Sequence, residues 1–279
     1  MRLKPAGERA GLLPNFVVIG AMRSGTTSLY KYLQEHPDVF MPRKEIHFFD
    51  RKWDRGMPWY HSRFDGHAGQ PAIGEATPTY LAEPVALDRM AATIPGARLL
   101  AALRDPVDRA YSHYWMEHVR QRDPRTFEDA VADELAGRSG VRESDYLDRG
   151  RYLHQLEAVS ARFPRDRLCV VLFDDLRDRP RETYADVCRF LGIDDEFVPQ
   201  RLGERVNRYV AFRSMRIRGI RRQLPSTLRI NRIVDRLNAR EGSYPSMAPD
   251  TRAELRRYFA ADVDGVAEWL GRDLSSWQC

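Results

Sequence analysis

Short apolar runs along the chain alternate with segments whose apolar residues recur at helical spacing. Phe16-Val-Val-Ile19 is a continuous apolar run of the kind buried on both faces of a sheet, and it predicts a strand. It leads into a Gly20–Gly25 loop and a helix from about Thr26 to Glu35, which Pro37 ends. Ala72–Glu75, Arg98–Leu103 and Leu168–Phe173 predict three more strands. Helical spacing marks Pro84–Thr93, Phe127–Leu135, Arg151–Phe163, and Pro180–Leu191 closing at Gly192. A long helix runs from Asp105-Pro106 to about Arg120, with Asp105 able to cap it and Pro106 suited to its first turn. Leu255, Phe259, Val263, Val266 and Leu270 give Asp250–Leu270 a core-facing stripe. Residues 38–71 read as loop with short helical pieces, and residues 200–248 as arginine-rich and irregular.

Strands alternating with helices predict an α/β fold, a parallel sheet flanked by helices. No internal repeat or low-complexity linker interrupts the pattern, so residues 1–279 are expected to form one domain, with 1–14 a flexible tail. Hydrophobic residues at 43% and charged residues at 30% exclude a disordered chain. The apolar runs are too short to span a membrane, and the first residues lack the apolar stretch of a secretory signal. Cys169, Cys188 and Cys279 make no disulfide framework and no zinc spacing, which suits a reducing, cytoplasmic setting. The net charge of +5 suits an anionic cofactor or substrate and is too small to point to nucleic acid.

The chemistry concentrates after the first strand. Gly20-Ala-Met-Arg-Ser-Gly25-Thr26-Thr27 has the glycine spacing of a phosphate-binding loop between a strand and a helix. Backbone N–H groups of such a loop, with the positive end of the helix, bind phosphate oxygens. A nucleoside triphosphatase would carry Lys at position 26; here it is Thr, and the loop's cation is Arg23. A second anchor lies in Leu103-Arg-Asp-Pro-Val-Asp-Arg-Ala-Tyr-Ser112: Arg104 ends a strand, where open α/β sheets bind ligands, and Ser112 follows two turns into a helix.

Taken together, these segments resemble sulfotransferases that use 3′-phosphoadenosine 5′-phosphosulfate (PAPS). Arg23-Ser-Gly-Thr-Thr-Ser-Leu29 resembles their 5′-phosphosulfate loop, and Leu103–Ser112 their 3′-phosphate motif. Lys44-Glu-Ile-His-Phe-Phe-Asp50 and Glu75-Ala-Thr-Pro-Thr-Tyr80 are similar to segments of the Golgi heparan-sulfate sulfotransferases, as are Arg240–Pro245 and the ending Leu270–Trp277. The resemblance covers roughly residues 14–277 and implies the sulfotransferase fold. It implies that Arg23, Ser24, Gly25, Thr26, Thr27 and Ser28 hold the 5′-phosphosulfate, and that Arg104, Ser112 and Arg240 serve the rest of the cofactor. Glu45 falls at the catalytic base, Arg23 at the catalytic lysine, and His47 and Asp50 at the acceptor site. Glu75 and Trp59 are further acceptor-side candidates. Ala76 departs from the family's lysine, and Arg240-Glu-Gly departs from its K-G-R loop.

Sulfuryl transfer is in-line and relies on positioning and electrostatics, so no metal is expected. Either Glu45 or His47 can take the acceptor's proton. The acceptor is a hydroxyl or amine of a glycan, glycolipid or small molecule. Trp53, Trp59, Tyr60 and Phe64 can stack on an acceptor ring or form a small core. The arginine-rich stretch 213–240 can recruit an anionic acceptor, touch a membrane surface, close over the cofactor or be a solvated face. The competing readings are a P-loop small-molecule kinase and a non-catalytic nucleotide-binding relative.

Overall fold

The computed structural model describes residues 11–138, 145–204 and 244–279 with their side chains, and 210–212 and 239–241 as backbone. Residues 1–10 of the expected tail, residues 213–238 of the arginine-rich stretch and the side chain of Arg240 lie outside the described residues.

Strand β1 (Phe16–Gly20) is buried at all five positions and is followed by helix α1 (Thr26–Glu35). The stretch read as loop contains strand β2 (Val39–Phe40) and helices α2 (Phe48–Arg51) and α3 (Gly56–His61). Strand β3 (Ala72–Ala76), helix α4 (Pro84–Thr93) and strand β4 (Arg98–Leu103) follow at the predicted places. Then come α5 (Pro106–Val119), α6 (Phe127–Leu135) and α7 (Tyr152–Ser160). The apolar run Leu168–Phe173 splits: β5 is Leu168–Leu172, and Phe173 opens a short helix α8 (Phe173–Asp178). Helix α9 (Pro180–Leu191) ends at Gly192, which takes the left-handed conformation with φ 72° expected of a helix-terminating glycine. A two-stranded antiparallel pair, β6 (Val210–Phe212) and β7 (Ala239–Glu241), and the helix Pro249–Leu270 complete the described chain.

The chain divides into two compact units, each built from separated segments. The first comprises residues up to Arg104 together with Tyr152–Glu204; the second comprises Asp105–Arg151 and the residues from Arg205 onward.

The first unit holds a five-stranded sheet in the order β2-β3-β1-β4-β5 with every neighbouring pair parallel, as the βα alternation predicts. Phe16, Val18, Leu29, Leu33, Leu100, Tyr184, Val187 and Leu191 belong to one buried cluster, so α1 and α9 are fastened to the sheet by their apolar faces. Truncating one such aliphatic side chain to Ala costs about 2–5 kcal/mol in a close-packed core. Because the strands are parallel, their carboxyl ends share one edge of the sheet. That edge carries the Gly20–Gly25 loop after β1, Thr77 to Tyr80 after β3, Arg104 after β4 and Phe173 after β5.

In the second unit, Asp105 caps α5 as predicted: its Oδ1 accepts from the N–H groups of Val107 at 2.8 Å and Asp108 at 3.1 Å. Arg109 of the same helix is wholly buried and donates to the Tyr146 carbonyl. Asp108 pairs with Arg252 of the C-terminal helix at 3.0 Å.

Candidate active site

The loop between β1 and α1 is shaped by backbone conformation. Arg23 (φ 73°) and Gly25 (φ 94°) are left-handed, and a Cβ on Gly25 would lie 3.0 Å from Phe173. Alternating handedness of this kind turns successive N–H groups inward. Helix α1 has no side-chain cap and no acidic residue in its first turn. Its leading N–H groups therefore have no carbonyl within the helix and present a positive end. Ser24 is fully buried, and its hydroxyl has no hydrogen-bond partner among the described residues. Lys44 reaches this loop from seventeen residues away in sequence, its Nζ donating to Thr27 Oγ1 at 2.7 Å. Burial, then the charges of Lys31 and Arg23, lower the Lys44 pKa against the opposing pull of Glu45. Arg104 lies over the Phe173 ring at 4.9 Å, and its carbonyl accepts from Tyr152.

Beside Lys44, a relay of side chains begins. Glu45 Oε2 is 3.1 Å from His47 Nε2, and His47 Nδ1 is 3.0 Å from Asp50 Oδ2. Thr79 donates to the same Asp50 oxygen at 2.7 Å. Exposure falls along the relay, from 36% at the Glu45 side chain to 16% at His47 and 3% at Asp50. Burial works against a charge on His47, but its hydrogen bonds to Asp50 and Glu45 and the charge of Asp50 outweigh that and raise its pKa to about 9. Burial likewise pushes the Asp50 pKa up, and the hydrogen bonds from His47 and Thr79 more than reverse it. At neutral pH His47 is therefore an imidazolium, set between the side chains of Glu45 and Asp50.

Glu75, on β3, has no exposed surface. It accepts from Tyr60 Oη at 2.6 Å and Thr77 Oγ1 at 2.9 Å, with Tyr80 Oη at 3.4 Å from both carboxylate oxygens. Burial raises its pKa to about 7, against the lowering effect of those hydroxyls. The aromatic cluster divides. Tyr60 stacks on Phe48 at 4.2 Å and Phe64 packs edge-on to Tyr60, so both belong to the core. Trp59 is half-buried, with Lys52 at 5.5 Å and Arg63 at 4.8 Å over its ring. Trp53 is 37% exposed.

The first unit thus gathers Arg23, Ser24, Thr26, Thr27, Glu45, His47, Asp50, Glu75 and Arg104. Ser112 belongs to the second unit, where it is buried and shares a hydrogen bond of 3.4 Å with Tyr244 Oη. The Arg240 backbone pairs with Ala211 in the β6–β7 ribbon. Sequence reasoning missed Lys44 as a loop residue, although it is one of only four lysines in an arginine-rich chain and adjoins the candidate base. It also missed Thr77 and Thr79, whose hydroxyls give no periodic signal.

A family model, the sulfotransferase domain, matches residues 13–265. The chain belongs to the sulfotransferase family. A human heparan sulfate glucosamine 3-O-sulfotransferase, 3B1, is 30% identical over 190 residues, covering 67% of this chain and 48% of its own length. A human bifunctional heparan sulfate N-deacetylase/N-sulfotransferase, number 3, is 28% identical over 95% of this chain and 31% of its own. The chain spans about a fifth to a half of the length of the curated relatives it matches first. Among solved structures, a sulfotransferase from Alicyclobacillus acidocaldarius superposes with a TM-score of 0.74 at 30% identity, covering 96% of this chain and all of that one. The α/β sulfotransferase fold expected from the sequence is therefore the observed one. No helix among the described residues is long and apolar enough to cross a membrane.

Proposed function

We propose that this sulfotransferase-family chain moves the sulfuryl group of PAPS to a hydroxyl or amine of a glycan, glycolipid or small-molecule acceptor. The observation that carries the reading is the pair Lys44 and Glu45: adjacent residues, one donating to the phosphate loop at Thr27, the other joined to His47. They link an anion cradle to a proton-accepting carboxylate. The loop's unmet hydrogen bonds fit the donor, because the buried Ser24 hydroxyl and the uncapped start of α1 both lack an acceptor that an anion would supply.

When bound, the donor supplies an activated sulfuryl group with a good leaving group. The loop residues Arg23 to Ser28 hold its 5′ end, and the sequence motif assigns Arg104 and Ser112 to its 3′-phosphate and Arg240 to the same cofactor. Arg23 and Lys44 neutralise charge at the leaving side. Glu45 takes the acceptor's proton. His47, already protonated at neutral pH, orients Glu45, with Asp50 and Thr79 fixing the imidazole from behind. Trp59, with Lys52 and Arg63 over its ring, is the aromatic residue assigned to the acceptor side on this reading. A glycan acceptor is supported by the names of the two human relatives, one an O- and one an N-sulfotransferase. Residues 1–279 act as one sulfotransferase domain on this reading, since the matched family region runs through segments of both units. The unpaired thiols of Cys169 and Cys188, both raised by burial to about 11, suit the reducing cytoplasm.

The test is direct. The protein is incubated with PAPS and a panel of glycans, and products are searched by mass spectrometry for added sulfate. Adenosine 3′,5′-bisphosphate should raise the melting temperature without Mg²⁺, since a ligand of the folded state stabilises it. Stabilisation by ATP–Mg²⁺ alone would favour the kinase reading.

A further inference from the structure

Glu75 was expected at the acceptor, but among the described residues its carboxylate accepts hydrogen bonds from hydroxyls of the protein, those of Tyr60, Thr77 and Tyr80. Each of those hydroxyls has one hydrogen to give. Thr77 gives its hydrogen to Oε2 of Glu75, and the hydrogen of Tyr80 Oη is directed between the two carboxylate oxygens. Having donated there, both oxygens are left to accept. What they accept are backbone N–H groups: His47 to Thr77 Oγ1 at 3.3 Å, and Phe48 and Phe49 to Tyr80 Oη at 2.9 and 3.3 Å.

These three amides open α2, for which His47 is the N-cap residue. At a helix start they have no carbonyl within the helix to bond. The same short turn carries the relay: Glu45 precedes it, His47 opens it and Asp50 lies within it. His47 is left-handed at φ 56°, a conformation uncommon for residues with a Cβ, and its neighbours brace it there. Thr77 holds the N–H of His47 itself, Tyr80 holds the next two amides, and Thr79 holds Asp50.

The geometry points to Glu75 as a positioning residue that acts through Thr77 and Tyr80 to hold the turn bearing Glu45, His47 and Asp50. The inference rests on the proposed function for its kinetic consequence, but not for its structural one. Tyr60 supplies an internal control. It makes the shortest hydrogen bond to Glu75, yet no hydrogen bond joins its hydroxyl to the N–H groups of His47, Phe48 and Phe49.

The experiment compares Glu75→Gln, Thr77→Val, Tyr80→Phe and Tyr60→Phe with the full wild-type chain. Gln keeps the size of Glu but brings an N–H donor, so one hydroxyl must reverse its hydrogen bond. Hydrogen exchange is followed by mass spectrometry in the stretch from Ile46 to Arg51, alongside kcat and the Kd for adenosine 3′,5′-bisphosphate. Glu75→Gln, Thr77→Val and Tyr80→Phe should speed exchange in that stretch. They should lower kcat roughly tenfold or more through misplacement of the base, with bisphosphate Kd held within about twofold. Tyr60→Phe should lower the melting temperature without that exchange signature. The inference is overturned if Glu75→Gln only lowers the melting temperature, leaving exchange and kcat as in wild type. It is equally overturned if Tyr60→Phe speeds exchange as much as Tyr80→Phe. If Glu75→Gln does not fold, Thr77→Val and Tyr80→Phe decide the matter by the same readouts. If the wild-type chain transfers no sulfuryl group, the proposed function fails while the exchange comparison still judges Glu75.

Discussion

The Oε2 atom of Glu45 lies 3.1 Å from Nε2 of His47. Because the other ring nitrogen faces Asp50, the imidazole donates on both sides when protonated, and loses one of the two bonds when it is not. On the proposed function, this relationship makes His47 an electrostatic fixture of the site at neutral pH and assigns the proton-accepting role to Glu45.

A pH dependence of stability follows. The folded-state pKa of His47 is raised from 6.5 to about 9, so its contribution is fully present below the unfolded value and is lost as pH rises through about 9. The shift sets a ceiling of about 3 kcal/mol, and the exposure of Glu45 brings the real value below that. Asp50 works the other way: its lowered pKa gives stability that is present above the ordinary carboxylate range and lost as pH falls through its folded value. Thermal melts from pH 6 to pH 10 should therefore show a steeper loss for wild type than for His47→Asn, a residue that tolerates the left-handed backbone there. Parallel curves would show that His47 is neutral in the folded protein.

If Glu45 is the base, Glu45→Gln removes the proton acceptor while keeping the side chain's size. Bisphosphate affinity should stay near wild type while kcat falls by on the order of 10² or more. His47→Asn should be milder, since Glu45 keeps its carboxylate and loses only its orientation. Single-turnover rates with a responsive acceptor measure both. A dead His47→Asn beside a near-normal Glu45→Gln would move the base to histidine.

How far the residues foretold this arrangement depends on the range of the forces involved. The strand at Phe16, the loop after it and the Asp105 cap are local: an apolar run, a glycine spacing and a capping side chain act within a few residues. Strand β2 has two residues, too few for any period to show, and it is defined by its pairing with β3. The run Leu168–Phe173 hid a boundary because Phe173 is equally apolar as the end of a strand or the start of a helix. The site was legible where a motif is continuous, as from Glu45 to Asp50. It was not legible where side chains meet across the chain: Lys44 with Thr27, or Tyr60, Thr77 and Tyr80 around Glu75. Each of these contacts depends on the sheet bringing distant segments to one edge.

Ser24 allows a test in which binding and stability move in opposite directions. Its hydroxyl is buried without a partner among the described residues, so the free protein bears the desolvation of a polar group with no hydrogen bond from them in return. Ser24→Ala removes that group and changes little else, since the β carbon remains. The melting temperature of the free protein should hold steady or rise. If the hydroxyl is there to donate to the 5′-phosphosulfate or phosphate of the donor, the same substitution should weaken bisphosphate binding by about 1.5–3 kcal/mol, the range for a hydrogen bond to a charged group. Calorimetric titration and thermal melts on one preparation read both quantities. A lower melting temperature with unchanged affinity would mean that the hydroxyl serves the fold, and would remove Ser24 from the binding loop.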